Sequence, residues 1–258
     1  YGGQLPNVDG VALAPLGFLM VERMLKGKSR YNVALLSIFF TLYFLASNIQ
    51  YFLYTSFALF LYFVLRLYSK LKTSEIEPNA AVRIFFKLAL SAVVFIGLSA
   101  FQLVPSYELS LHTTRSDGVA YEYAADGSFA PTYLVTYFIP SFYGLPMDDT
   151  YWGTATFWEV SGYLGIISIL LVMFAGLQIR NRYVIIMAVL AVFSLLFSFG
   201  KFGPLFPIFF KYVPFFNMFR FPATYLFVTT FSAAVLSGFG ANALLRSDIK
   251  KNYLRLFY

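Results

Sequence analysis

The chain has no cysteine, and its only histidine is His112. Without thiols there is neither a disulfide framework nor a thiolate metal site, and one histidine cannot form a histidine cluster for a transition metal. A glycine-rich phosphate loop, a Ser/His/Asp order and a His-Glu-x-x-His helix are also missing. We therefore expect no cofactor, no cytosolic nucleotide site and no transition-metal catalysis in these residues.

Charged residues are scarce. They make up 12% of the 258 residues, whereas 59% are hydrophobic. A soluble domain carries about 25% charged residues to cover its surface. The mean hydropathy of +0.70 agrees with this shortage. The composition predicts an all-α fold, namely a polytopic integral membrane helical bundle formed by one transmembrane domain over residues 1–258.

Stretches without Asp, Glu, Lys or Arg locate the spans, because about 20 apolar residues cross the hydrocarbon core. The longest stretch, 31–65, would form a helix of roughly 52 Å, far longer than the ~30 Å core. Its polar cluster Ser47, Asn48 and Gln50 therefore predicts a hairpin of two spans. About seven spans are predicted in all, near residues 11–25, 31–47, 51–68, 84–104, 160–178, 183–199 and 223–245.

The basic residues orient these spans. The run at 11–25 holds Glu22 and Arg23 and could alone be an interfacial helix, but as a span it places most of the 19 Lys and Arg residues inside. A large extracytoplasmic loop at 105–159 and a second one at 200–222 follow. In this topology the net charge of +7 comes from basic residues that are spread over the short inner loops. A nucleic-acid partner is therefore not expected.

The large outer loop is rich in aromatic residues, among them Tyr143. Such residues suit the membrane-water interface, and they also suit stacking on sugar rings. Adjacent Asp148 and Asp149 could bind a divalent cation through oxygen ligands, or could form an ordinary solvated turn. For the aromatic residues and for the two aspartates, both interpretations are possible from the sequence.

Outer arginines are candidates for anion binding. Arg115 either anchors the loop at lipid headgroups or grips a phosphate, and Glu108 could pair with it. Arg220 stands before the last span, where it either anchors a helix end or binds an anion. Lys211, in the same loop, is a further candidate for substrate binding.

The order of several short motifs resembles the bacterial YfhO membrane protein family. The motifs are Leu13-Ala-Pro-Leu-Gly-Phe-Leu-Met-Val-Glu-Arg23, the uncharged double span, the outer loop with an Arg after its Pro-x-x-Glu start, Gly162-Tyr-Leu-Gly165 and Phe219-Arg-Phe-Pro222. The resemblance covers most of the chain. In place of the second basic residue that often follows Phe-Arg-x-Pro in relatives, this chain has Ala223-Thr224.

The resemblance implies a fragment of a GT-C type glycosyltransferase membrane domain. It implies transfer of a sugar from a polyprenyl-phosphate-linked donor to a cell-envelope polymer acceptor, at the outer face of the bacterial plasma membrane. Arg220 and Arg115 would bind the carrier phosphate, and the catalytic carboxylate is expected to precede Tyr1. The alternatives are a transporter or flippase of lipid-linked glycans and a non-enzymatic envelope protein.

Overall fold

The computed structural model describes residues 5–27, 31–113, 118–213 and 216–245. Helices and irregular segments make up these ranges, in which no strand is found, and this confirms the all-α prediction. The described ranges contain ten α-helices, α1 to α10 in chain order: Leu5–Leu25, Asn32–Ala46, Ile49–Lys72, Pro78–Leu111, Tyr121–Ala124, Phe157–Val160, Ile166–Ala175, Arg182–Ser198, Leu205–Tyr212 and Leu226–Leu245. Short 3₁₀ turns interrupt the loops, at Pro131–Tyr137, Pro146–Asp148, Gly176–Gln178, Gly200–Phe202, Phe216–Met218 and Pro222–Tyr225.

Among the described residues, three helices are long and apolar enough to cross a membrane, as expected of a membrane protein. They are Ile49–Lys72, Pro78–Leu111 and Pro222–Leu245, the last formed by α10 and the 3₁₀ turn before it. Shorter apolar helices lie at Asn32–Ala46, Ile166–Gln178 and Arg182–Ser198. The seven-span arrangement stays a prediction.

The chain divides into two compact units, Tyr1–Val119 and Ala120–Tyr258. In the first unit α1 packs on α2 and α3, and α2 packs on α4. The helix break predicted at Ser47, Asn48 and Gln50 is present, because α2 ends at Ala46 and the Asn48 side chain caps α3 by accepting a hydrogen bond from the Gln50 amide at 2.9 Å. That both helices span the membrane stays a prediction. Capping by Asn satisfies one of the backbone N–H groups that a helix start leaves open.

Close packing of α1 depends on Gly10 and Gly17, which lie two helical turns apart on one face. A β-carbon at Gly10 would stand 2.7 Å from Tyr51 Cβ, and one at Gly17 would stand 2.7 Å from Leu59 Cδ1. Small residues at helix contacts allow the close backbone approach on which membrane helices rely for association.

A buried ion pair joins α1 to α3. Arg66 Nε donates to Glu22 Oε1 at 2.6 Å, and the Tyr62 hydroxyl donates to the same oxygen at 2.7 Å. The side chains of Arg66 and Glu22 are only 4% and 15% exposed. Such a pair must satisfy both charges internally, because burying either charge alone is costly.

The helix bounds differ from the predicted spans at two places. Helix α4 continues through Pro105 to Leu111, so the outer loop does not begin at residue 105. Proline removes only one backbone hydrogen bond here, which does not end the helix. In the run at 160–178 the long helix begins only at Ile166, because residues 161–165, which follow α6, form no regular secondary structure and Gly165 has a φ of +85°.

In the second unit α7 and α8 both pack on α10. The Ser237 hydroxyl donates to the Ser168 carbonyl at 3.0 Å, and Ser194 and Thr229 share a hydroxyl hydrogen bond at 2.7 Å. Ala233, Ser237 and Gly240 of α10 are all buried, so small residues line the part of this helix that packs inside the unit.

Candidate functional site

Three segments of the second unit meet at what we call the loop junction, formed by residues 123–129, 198–203 and 219–225. Backbone hydrogen bonds tie them together. The Phe129 amide donates to the Ser198 carbonyl at 2.9 Å, and the Phe221 amide donates to the Asp126 carbonyl at 3.2 Å. The junction therefore brings the large outer loop against the second outer loop of the predicted topology.

Three residues of the junction have a positive φ, and two of them, Gly127 and Gly200, make this approach possible; the third is Phe221, with a φ of +63°. Gly127 has a φ of +71°, and a β-carbon there would overlap the Phe221 ring. Gly200 has a φ of +54° and lies against Ser128, whose hydroxyl oxygen accepts the Lys201 amide at 3.0 Å. Glycine adopts positive φ without the steric cost that a side chain would add.

Arg220 lies at the centre of the loop junction. Its guanidinium forms an ion pair with Asp126 and is enclosed by two aromatic rings, 4.7 Å from the Tyr123 centroid and 4.4 Å from the Phe221 centroid. A planar guanidinium stacks on rings and still presents N–H groups at its edge. This environment fixes the plane of the group, which suits two-point recognition of a carboxylate or phosphate.

The charges at the loop junction are two cations and one carboxylate. Arg220 holds the pKa of the Asp126 carboxyl below its usual range, and the Lys201 charge acts in the same direction. The side chains of Arg220 and Asp126 are 33% and 54% exposed. An exposed ion pair contributes little to stability and is readily exchanged for another anion.

A second carboxylate, Glu159 on the one-turn helix α6, lies beside the segment that carries Arg220. The Thr224 hydroxyl donates to Glu159 Oε2 at 3.1 Å. Burial raises the pKa of the Glu159 carboxyl, and the Thr224 hydrogen bond opposes that rise. Nearby, the Tyr137 hydroxyl is buried and finds no hydrogen-bond partner in the ranges that the structure describes.

Tyr143 belongs to an aromatic group in the large loop. Its ring centroid lies 4.4 Å from that of Tyr133 and 4.6 Å from that of Trp152. Trp152 is 62% exposed, so one side of the group is open to the surroundings. The contacts fit an interfacial belt and sugar stacking equally, and the role of Tyr143 stays a prediction.

The other predicted site residues are Arg115, Glu108 and Lys211. Arg115 lies outside the described residues. Glu108 belongs to the last turns of α4 in the first unit and is exposed. Lys211 is the penultimate residue of α9, with its ammonium 5.1 Å from the Tyr212 ring centroid. Lys201, and not Lys211, is the lysine whose charge acts on Asp126.

Asp148 and Asp149 lie at the end of a 3₁₀ turn, where both are exposed and Asp149 has a φ of +52°. No set of three His, Cys, Asp or Glu side chains within metal-binding reach occurs among the described residues. Adjacent carboxylates alone provide too few ligands for Ca²⁺, and Mg²⁺ would keep several waters there. A divalent cation at this turn stays a prediction.

Sequence reasoning singled out Arg220 but not the residues around it. Asp126, Lys201 and Glu159 were counted only as charges of the outer loops. The signal that was available is the Asp126-Gly127-Ser128 triplet, which is typical of a tight turn. Asp126 contacts Arg220, which lies 94 residues later in the chain, and local sequence patterns cannot indicate such a distant contact.

Comparison of the chain with models of known protein families, with curated proteins and with solved structures gave no match.

Proposed function

We propose that this chain is part of a YfhO-like membrane glycosyltransferase of the GT-C type. It transfers a sugar from a polyprenyl-phosphate-linked donor to a cell-envelope polymer at the outer face of the bacterial plasma membrane. The loop junction binds the carrier phosphate, with Arg220 as its main contact and Lys201 beside it. The observation that carries the proposal is a guanidinium set against two aromatic rings beside the last membrane helix, with Lys201 as a second cation that acts on the same carboxylate.

An apolar groove in the second unit supports a lipid-linked donor. It has a volume of about 590 Å³ and is lined by apolar side chains, including Val184, Val192, Leu196, Leu205 and Leu236. From Val184 to Leu196 it follows α8 for about 18 Å at 1.5 Å per residue. A hydrocarbon chain suits such a lining, because it has no polar group that would lose its hydration on binding.

The experiment that tests the proposal is a transfer assay. Membranes that contain the full-length protein would receive a labelled polyprenyl-phosphate sugar and an unlabelled envelope polymer. We expect the label to become covalently attached to the polymer, with release of polyprenyl phosphate. Membranes without the protein serve as the control. Label that crosses the membrane but never joins the polymer would contradict transfer and indicate transport.

A transporter or flippase of lipid-linked glycans is the second candidate. The observation that favours it is the buried pair of Glu22 and Arg66, because ionisable residues within membrane helices often mark transport pathways. The pair lies near the ends of α1 and α3, three and six residues before they finish. This position agrees better with a structural tie than with a midplane substrate site.

The proposal includes seven crossings, and their orientation can be tested by cysteine labelling. Met147 is 87% exposed in the large outer loop, and Thr73 is exposed in the segment after α3. In a protein without other cysteines, we expect Met147→Cys to react with an impermeant maleimide in intact cells, because most basic residues then lie inside. Thr73→Cys should react only after permeabilisation. The reverse pattern would require an inverted topology.

A further inference from the structure

A closed hairpin in the large loop holds three aromatic rings together. The Trp152 amide donates to the Tyr143 carbonyl at 3.0 Å, and the Thr150 amide donates to the Leu145 carbonyl at 3.2 Å. These two bonds close the hairpin at its base. The ring centroid of Tyr143 lies 5.2 Å from that of Phe142 and 4.6 Å from that of Trp152. We call these three residues the aromatic platform, because backbone hydrogen bonds fix the segment that carries them.

The aromatic platform is part of an exposed apolar surface. Phe142 and Trp152 are both exposed, and so is Ile139. The Ile139 carbonyl accepts the Phe142 amide at 3.2 Å, and a turn of this kind brings the α-carbons of its first and last residues within about 7 Å. Large apolar side chains that lie together on a surface mark a site where a ligand, a protein or a membrane binds. The platform therefore needs a partner that covers it.

Few polar side chains lie beside the aromatic platform in the sequence. From Phe138 to Met147 the chain has no charged side chain and no side-chain amide. Two aspartates follow, but they lie at the tip of the hairpin, beyond the bond between Thr150 and Leu145. A sugar can stack on an aromatic ring, yet its hydroxyls also need placed polar groups, because they lose hydration on binding. The ring contacts suit both partners, whereas the neighbouring residues favour lipid.

Packing ties the aromatic platform to the ends of two apolar helices. Tyr143 packs against the apolar cluster that contains Leu226, the first residue of α10. Leu195, near the end of α8, packs against the same cluster. Helix α10 forms most of the candidate membrane span Pro222–Leu245. The end of a spanning helix lies where the hydrocarbon core meets the headgroups. The platform is therefore held at the level of the membrane-water interface.

We propose that the aromatic platform inserts into the membrane-water interface, where phospholipid covers Ile139, Phe142 and Trp152. Trp and Tyr are enriched at this depth because an apolar ring carries one polar group. Irregular backbone does not enter the hydrocarbon core, where its N–H and C=O groups would lose their partners, so insertion stops near the headgroups. The hairpin tip with Asp148 and Asp149 stays in water. Part of the large loop is thus bound to lipid, and this does not depend on sugar transfer.

The first test measures the fluorescence of Trp152 in the full-length protein, reconstituted in vesicles of zwitterionic phospholipid. Every other tryptophan, including Trp158, is replaced by Phe. We expect strong quenching by lipid that carries bromine near its headgroup, weaker quenching by lipid brominated near the chain end, and little quenching by aqueous acrylamide. High salt should change none of these values, because residues 116–179 contain no Lys or Arg that could attract lipid headgroups.

The second test places a charge on the aromatic platform. Phe142→Asp should move Trp152 towards water, because a carboxylate among lipid chains is costly. Quenching of Trp152 by brominated lipid should then fall, and quenching by acrylamide should rise. Met147→Asp is the matched control, since Met147 is exposed in the turn that also carries Asp148. This control should leave both quenching values unchanged.

Three results would overturn the proposal. Quenching of Trp152 by acrylamide without quenching by brominated lipid would place the platform in water. Protection of Trp152 from both quenchers would show that protein covers it. Protection from acrylamide that appears only when an envelope glycan is added would indicate sugar stacking. If Phe142→Asp fails to accumulate in membranes, the quenching of Trp152 in the protein that keeps Phe142 decides alone.

Discussion

Arg220→Lys is expected to lose sugar transfer almost as completely as Arg220→Ala, by about 10²- to 10³-fold, the loss seen when a donor to a developing anion is removed. Lysine keeps the positive charge but cannot stack between Tyr123 and Phe221 or offer two parallel N–H groups. The contact should matter most as the leaving phosphate gains charge. The measurement is the transfer assay at matched membrane levels of each variant.

Asp126→Asn and Arg180→Lys are the controls for this prediction. Asp126 is the anion that Arg220 holds in the structure, so its loss should leave transfer intact and strengthen binding of polyprenyl phosphate. Arg180 lies exposed in the turn before α8, and its change to Lys should have no effect. If Arg220 serves only to tie the two loops together, Asp126→Asn and Arg220→Lys will lower stability and activity in parallel. That result would contradict a role of Arg220 in phosphate binding.

Gly240→Ala is expected to destabilise the second unit, whereas Gly238→Ala is not. A β-carbon at Gly240 would overlap the Leu171 carbonyl oxygen of α7 and stand 2.7 Å from its carbon. Overpacking against rigid backbone typically costs about 1–3 kcal/mol. At Gly238 no atom lies within 4 Å, so a methyl group meets open space.

The measurement is thermal unfolding of both purified variants in the same detergent. Gly240→Ala should unfold at a clearly lower temperature than wild type, and Gly238→Ala should match it or exceed it slightly, since alanine favours helix more than glycine does. Equal behaviour of the two variants would show that α7 and α10 can separate without cost. The close contact would then not support the fold.

Local sequence patterns predicted the features that depend on local chemistry. Ser47, Asn48 and Gln50 interrupt an apolar run, and the structure breaks the helix there because the Asn48 side chain can cap α3. Pro222 was expected in a first helical turn, and it opens the turn before α10. Each of these outcomes follows from a few adjacent residues.

Features that depend on distant partners escaped prediction. The predicted span near 84–104 stops before Pro105, yet α4 continues through Pro105 to Leu111, because one missing hydrogen bond costs less than ending an apolar helix there. Arg220 was paired with Arg115 in the prediction, whereas the structure surrounds it with Asp126, Tyr123 and Phe221. The folding of the loops determines these contacts, and the hydrophobic periodicity of the sequence does not indicate how the loops fold.

The buried pair of Glu22 and Arg66 has a consequence for biogenesis. The two residues are separated by 44 positions, so α1 is synthesised well before the arginine that balances its carboxylate. A charged helix alone in lipid is costly. Assembly of the first unit must therefore wait until α3 has been synthesised, so α1 reaches its final environment only after α3 has followed it.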